Sequence, residues 1–146
     1  MDGSENRYAV GVLTMDQTMN LWPQWSKLFA PLLEQEGCYL PVDLLPMLNA
    51  QPQTTHLWAA WDGISSECDA FMVTMLCTFP RKKWLNVPFI AGRNMKRWKA
   101  EFWRLIEAQA KKEGCTEIRG ASRRGWIKAA GFTECGVLLR RELAHG

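Results

Sequence analysis

Apolar residues occur along this chain in short runs and in longer stretches where they recur every three to four positions. The short runs predict strands at residues 7–14, 56–61, 70–79, 84–91, 115–121 and, once or twice, within 133–143. The helical spacing predicts helices at residues 17–36, 41–49, 95–113 and 123–130. This order predicts one α/β (α+β) domain, residues 1–146, with a mixed sheet and helices on both faces.

The first long helix carries signals for its start, its interruption and its end. Asp16 is the expected N-cap. Pro23 and Pro31 predict a kinked helix or two shorter ones, because proline removes a helical hydrogen bond and clashes with the preceding turn. Gly37 is expected to end the helix.

The helix predicted at residues 95–113 has the clearest amphipathic pattern. Its apolar stripe consists of Trp98, Phe102, Leu105, Ile106 and Ala110. Gly114 is a good stop signal. We therefore expect this helix to pack its stripe against the sheet.

The net charge of +3 conceals an asymmetry between the two halves of the chain. Residues 1–80 contain two basic and nine acidic residues, whereas residues 81–146 contain sixteen basic and six acidic residues. A basic C-terminal half is typical of proteins with an anionic partner, such as a phosphate-bearing cofactor, a nucleic acid or an acidic protein surface. Solvated helix faces can also account for many of these charges.

The cysteine and histidine content indicates whether disulfides or a metal site are expected. The five cysteines show no C-x-x-C spacing, and His56 and His145 are the two histidines, so no disulfide framework and no metal site are expected. No apolar run approaches the roughly 18 residues that span a bilayer. We therefore expect a cytoplasmic protein without a membrane partner.

Residues 84–143 follow an order of strand, long helix, Gly114, strand, short helix, the pair Gly131-Phe132 and a last strand. This order resembles the coenzyme A-binding half of the GNAT acetyltransferase superfamily. The resemblance implies a mostly antiparallel central sheet of six to seven strands and acetyl-CoA or coenzyme A as cofactor. The short chain, with Arg-Arg-Gly-Trp before Gly-Phe, also resembles small acetyltransferase-like proteins of tailed bacteriophages, which implies the host cytoplasm or the virion as location.

The resemblance also implies where the cofactor would bind. In the family the fourth strand splays away from the fifth, and a glycine-rich turn offers amides to the pyrophosphate at the next helix N-terminus. The corresponding residues here are Phe89, Ile90, Ala91, Gly92, Arg93, Lys96, Arg97 and Lys99. The glycine positions of the family fall near Met95, Arg97 and Lys99, where side chains could block the close approach of phosphates. Alternatively, the cations at positions 93, 96, 97 and 99 could hold the phosphates by charge.

The family's usual catalytic groups have no direct counterpart. The tyrosine that protonates the leaving thiolate falls on Ile127, beside Trp126, and neither can donate a proton to sulfur. Weak candidates for catalysis are Ser122, Cys115 and His56. Cys115 also fits a small buried apolar residue. The acidic residues Glu67 and Asp69 could act as a base, but their sequence fits a solvated turn better.

Two functions follow from the resemblance and a third from the charge pattern. The chain could be an N-acyltransferase that moves an acetyl or acyl group from acyl-CoA to an unknown amine acceptor. It could instead be a catalytically silent GNAT-fold protein, virion-associated or host-interacting, that binds a protein or nucleic acid through its basic half. The third hypothesis is a dedicated nucleic-acid binder that uses Trp84, Trp98 and Trp126 as stacking platforms, although Trp98 lies on the apolar stripe.

Overall fold

The computed structural model describes residues 8–120, 131–136 and 139–144. Within them five strands form one sheet in the order of the chain. They are β1 (Ala9–Val12), β2 (Thr55–Trp61), β3 (Ala70–Thr78), β4 (Lys83–Gly92) and β5 (Glu117–Arg119). The first four strands pair antiparallel, and β5 pairs parallel with β4. The sheet is therefore mixed and mostly antiparallel, as predicted.

The strand count differs from the prediction of six to seven. The described parts of the predicted last strand, residues 133–136 and 139–143, contain no strand. The predicted short helix at residues 123–130 lies outside the described residues, except that its predicted end, Gly131, is described. An apolar run alone does not form a strand, because its backbone also needs a pairing partner.

The helices match the predicted positions closely. They are α1 (Met15–Asn20), α2 (Trp22–Glu36), a short 3₁₀ turn (Pro41–Asp43) that leads into α3 (Leu44–Ala50), and α4 (Met95–Lys112). None of the helices in the described part of the chain is long and apolar enough to cross a membrane.

The first helical region is split in two, which confirms one of the two predicted outcomes. The break falls at Leu21, with Pro23 in the first turn of α2 and Pro31 inside it. Gly37 ends α2 in a left-handed conformation with φ 73°, as predicted.

The predicted N-cap was wrong by two positions. Thr14, not Asp16, caps α1, and Thr14 and Gln17 form a capping box. The Gln17 amide donates to the Thr14 hydroxyl at 3.1 Å, and the Thr14 amide donates to the Gln17 side-chain oxygen at 2.9 Å. Asp16 instead places its negative charge in the first turn, where the helix dipole favours it.

Two apolar cores lie on opposite faces of the sheet. On one face, α2 and α3 pack their buried side chains, Trp25, Phe29, Leu33, Leu44 and Leu48, against β2 and β3. On the other, α4 buries Trp98, Phe102, Ile106 and Ala110 against the sheet. These are four of the five residues of the predicted stripe, and helices on both faces are thereby confirmed.

Candidate functional site

Strands β4 and β5 pair over only a short part of β4. The three pairs join Trp84–Asn86 to Glu117–Arg119. Strand β4 continues for six more residues to Gly92, and within the described residues no pair joins that part to β5. Since alternate backbone groups of a strand point to each side, part of the backbone of residues 87–92 faces away from β3. Among the described residues, no strand pairs with this part of the β4 edge, which could therefore meet a ligand through its amide and carbonyl groups.

A β-bulge lies where this pairing ends. Met75 of β3 pairs with Asn86, but Val73 pairs with Phe89, so Val87 and Pro88 together oppose a single residue of β3. A bulge bends its strand and increases the local twist. Proline has no amide hydrogen for a ladder and is tolerated at bulges. The bulge bends β4 directly after Asn86, the last of its residues that pairs with β5.

Helix α4 begins directly after β4 and has no side-chain cap. Its N-cap residue, Asn94, is left-handed with φ 58° and makes no capping hydrogen bond through its side chain. The Trp98 indole donates to the Arg93 carbonyl at 2.8 Å and so fixes the turn against the helix. An uncapped helix N-terminus combines amide donors with the positive end of the helix dipole, which favours an anion.

Gly92 closes the end of the β3–β4 ladder. A Cβ atom at this position would lie 2.3 Å from the Asp69 carbonyl oxygen and 2.5 Å from the Ala70 Cα. Its φ of 155° is also unfavourable for other residues. Gly92, which the resemblance placed among the cofactor-binding residues, is therefore required by the close contact with β3.

Asp69 connects three parts of the chain at this end of the sheet. Its carboxylate accepts a hydrogen bond from the Tyr8 hydroxyl and a longer one, 3.4 Å, from the Arg93 guanidinium. Its carbonyl accepts from the Arg93 amide at 2.8 Å, and its own amide donates to Ala60 at 2.8 Å. Asp69 is 5 % exposed, so the prediction of a solvated turn was wrong for this residue.

These contacts pair the Arg93 guanidinium with carboxylates and make the Tyr8 hydroxyl a hydrogen-bond donor to Asp69. A second oxygen, from the exposed carboxylate of Glu67, lies 2.9 Å from the Arg93 guanidinium. Hydrogen bonds to Glu67 and Asp69 raise the pKa of Arg93. Burial, together with the hydrogen bond to Asp69, raises the pKa of Tyr8. Arg93 is thus engaged in fixing the β4–α4 turn.

The remaining predicted cations lie on the first turns of α4. Lys96 and Arg97 are exposed, and Lys99 is half-buried. Arg97 also lies near Tyr8, whose pKa it lowers in part, and near Asp62. Lys96 and Arg97 are therefore the cations of this set that present charge to solvent beside the uncapped helix end.

Two of the three weak catalytic candidates lie at the other end of α4. The His56 ring contacts the Gln109 amide at 3.2 Å, and the Cys115 amide donates to the Ala110 carbonyl at 2.8 Å. Gln109 is fourteen residues after Met95, which is roughly 21 Å along a helix. Burial lowers the pKa of His56, which favours the neutral imidazole, and raises the pKa of Cys115, which disfavours the thiolate. The structure does not bring them to the β4–α4 turn.

The other positions of the predicted catalytic set, Ser122, Trp126 and Ile127, lie outside the described residues. Phe132 of the Gly-Phe pair is described, and its ring packs on Trp103 of α4 with centroids 5.2 Å apart. Beside this contact lies a cavity of about 450 Å³ between the second half of α4, β5 and residues 131–135. Sequence reasoning gave no signal for this cavity.

Three site features were not predicted from the sequence. They are the bulge at Val87 and Pro88, the left-handed Asn94 and the contact of Tyr8 with Asp69. Pro88 inside an apolar run was the available signal for the bulge, because proline is confined to edges and irregularities of sheets. Tyr8 gave none, since its partner is 61 residues away.

No protein-family model and no curated protein matches the sequence. Similarity is found instead among solved structures. A predicted acetyltransferase from Clostridium acetobutylicum, with acetyl-CoA, has a TM-score of 0.69 at 14 % identity, covering 92 % of this chain and 96 % of that one. An aminoglycoside acetyltransferase from an uncultured soil metagenomic sample, in complex with sisomicin, has a TM-score of 0.67 at 12 % identity, covering 96 % and 99 %.

A transcriptional regulator from Bacillus halodurans has a TM-score of 0.66 at 11 % identity, with 93 % and 99 % covered. These likenesses extend over nearly the whole of each chain, and the identities are low. They show the fold, and the predicted GNAT fold is confirmed.

Proposed function

We propose that this GNAT-fold protein binds an acyl-CoA thioester between β4 and β5 and transfers its acyl group to an amine. The observation that carries the proposal is the edge of β4 after Asn86, where no described residue of β5 pairs with it, followed by the uncapped N-terminus of α4. Together they leave a strand edge and an anion-binding helix end side by side. The structurally similar acetyltransferase with acetyl-CoA supports this assignment of ligand.

Different groups of the protein would bind different parts of the cofactor. Phe89 and Ala91 direct their backbone groups to Val73 and Phe71 of β3, so the backbone of Ile90 between them would pair with the amides of the pantetheine arm, as a strand edge pairs with another chain. The first amides of α4, with Lys96 and Arg97, would hold the pyrophosphate. Arg93 acts through its ion pairs with Glu67 and Asp69, which position the turn.

The reaction is an exchange of one acyl bond for another. The neutral amine attacks the thioester carbonyl, a C–N bond forms, the C–S bond breaks, and the amine proton leaves as the thiolate is protonated. A β4 amide facing the gap would stabilise the oxyanion of the tetrahedral intermediate. Holding the amine at the thioester supplies the remaining rate acceleration, because a bimolecular encounter becomes a positioned one.

Calorimetric titration of the full chain with acetyl-CoA tests the proposal. We expect binding that falls at least about tenfold in Lys96→Glu with Arg97→Glu, because each reversal removes a charge-assisted contact to phosphate. Lys111→Glu with Lys112→Glu makes the same charge change at the other end of α4 and is the matched control. Failure to bind at millimolar acetyl-CoA would overturn the proposal.

An assay of turnover distinguishes an acyltransferase from a catalytically silent GNAT-fold protein. Release of free thiol from acetyl-CoA is followed with a panel of amines, and acetylated products are identified by mass spectrometry. Thiol release that depends on both the amine and the intact Lys96–Arg97 pair is the result expected of an acyltransferase. Binding of acetyl-CoA without any transfer would favour the catalytically silent protein.

A further inference from the structure

The hairpin between β3 and β4 carries an exposed aromatic stack. Phe79 and Trp84 have ring centroids 4.4 Å apart and planes tilted by 31°. The Arg119 guanidinium lies 3.9 Å from the centroid of the Trp84 ring. Trp84 is half-buried, whereas Phe79 is 46 % exposed. The stack thus fixes an apolar ring at the surface, where water contact is unfavourable.

Cationic side chains lie on the same hairpin as this stack. Arg81 and Lys82 lie in the turn, Arg81 exposed, and Arg119 comes from β5. The Glu117 carboxylate lies 2.9 Å from the Lys82 ammonium and 3.1 Å from the Arg119 guanidinium. Lys83 belongs to the opposite face of the sheet, since adjacent strand residues alternate and the charge of Lys83 acts on Cys115 after α4. We call the group formed by Phe79, Trp84, Arg81, Lys82 and Arg119 the hairpin surface.

The hairpin surface is held in place by backbone hydrogen bonds. The Phe79 amide donates to the Lys82 carbonyl at 2.8 Å, which closes the turn. The Thr116 amide donates to the Lys83 carbonyl at 2.9 Å, which ties the start of β5 to the same turn. A ligand would therefore meet ring and charges that are already positioned, which lowers the ordering cost of binding.

We propose that the hairpin surface binds single-stranded nucleic acid. A base would stack on the exposed face of Phe79, and the adjoining phosphates would contact Arg81, Lys82 and Arg119. Every base has a π-face, so this recognition is tolerant of sequence. A planar ring within a cationic rim fits alternating bases and phosphates better than an acidic peptide, which offers charge without flat partners.

This surface is independent of the acyltransferase site. It lies at the N-terminal end of β4, whereas the β4–α4 turn lies at the other end. Ten residues of extended strand span roughly 30 Å, so the two sites do not overlap. The proposed nucleic-acid binding can therefore fail or succeed separately from coenzyme A binding.

Fluorescence anisotropy with a labelled oligothymidylate of about 20 nucleotides tests the proposal on the full chain. With three phosphate contacts, affinity should fall about 20-fold between about 50 and about 200 mM salt. Phe79→Ala should weaken binding about 5- to 150-fold through the loss of one stacked base. Arg81→Glu should also weaken binding and flatten the salt dependence.

Two matched control variants test whether nucleic-acid binding depends on the hairpin surface. Trp61→Ala removes another aromatic ring, 41 % exposed, at the opposite end of the sheet, and Lys27→Glu reverses an exposed charge on α2. Neither should change the affinity. Circular dichroism spectra of each variant show whether the fold is retained.

Several results would overturn the proposal. One is no measurable binding at low salt, and another is binding that Phe79→Ala and Arg81→Glu leave unchanged. A loss of affinity in Lys96→Glu with Arg97→Glu instead would place the nucleic acid at the other end of β4. Equal displacement by polyglutamate and by unlabelled oligothymidylate would indicate an acidic protein as partner.

Discussion

The burial of Asp69 is set by contacts with residues that are far from it in the sequence. Its neighbours in sequence, Ser-Ser-Glu-Cys before it, are typical of an exposed turn. The structure buries its carboxylate because Tyr8 and Arg93, 61 and 24 residues away, both contact it. A buried carboxylate needs such partners, since an unpaired charge away from water is strongly destabilising.

The lowered pKa of His56 predicts how the stability of the protein depends on pH. Burial lowers its pKa below the ordinary value of 6.5, although a backbone contact and Glu113 oppose this. As pH falls below about 6.5, the unfolded chain takes up the proton before the folded one, so the free energy of unfolding decreases. Above that pH both states are neutral and His56 contributes no pH dependence.

Urea unfolding of the wild-type chain and of His56→Gln between about pH 7.5 and 5.5 measures this effect. We expect the decline in unfolding free energy to be shallower in His56→Gln. His145→Gln, at the other histidine, controls for the loss of a titrating group. An identical slope in wild type and His56→Gln would contradict the assignment.

At the scale of elements, most boundaries follow from local sequence. Helix α4 was predicted at residues 95–113 and spans Met95–Lys112, and β4 was predicted at 84–91 and spans Lys83–Gly92. Both have strong periodicity or a continuous apolar run bounded by turn residues. The bulge in β4 was not predicted, because it depends on the register with β3.

Gly92→Ala tests the contact that joins β4 to β3. We expect the free energy of unfolding to fall by about 1–3 kcal/mol, because the added methyl group would overlap backbone atoms of Asp69 and Ala70. Gly11→Ala in β1 is the matched control, since nothing lies within 4 Å of its added Cβ. Urea denaturation of both variants measures the difference, and equal stability would show that the β3–β4 end can relax.

At the scale of the whole molecule, one sheet supports two cores. Trp25 and Phe29 belong to the core on one face, and Trp98 and Phe102 to the core on the other, and all four are almost fully buried. Strands β2 and β3 contribute residues to both cores. Loss of either core should therefore remove support from the sheet on which the other packs.

We predict a single cooperative unfolding transition, as expected for one domain. Tryptophan fluorescence and far-ultraviolet circular dichroism should give coincident urea curves. Phe29→Ala and Phe102→Ala should each lower stability by about 3–5 kcal/mol and shift both curves together. Two separate transitions in either variant would show that the cores unfold independently.

The sequence by itself determined most of the elements, their order and the face that α4 buries. These follow from hydrophobic periodicity, helix stop signals and turn residues, which act within a few positions of one another. The GNAT resemblance, drawn from the order of elements in residues 84–143, was confirmed by the structural comparisons. The likeness to bacteriophage proteins stays a prediction.

Only the tertiary structure decided the contacts of the predicted site residues. Gly92 and Arg93, which the resemblance placed in the cofactor site, contact residues 67–70. The bulge in β4, the aromatic stack at the β3–β4 hairpin and the distance of His56 from the turn are likewise tertiary. The physical reason is that side-chain roles are set by contacts between residues far apart in sequence, which local pattern does not encode.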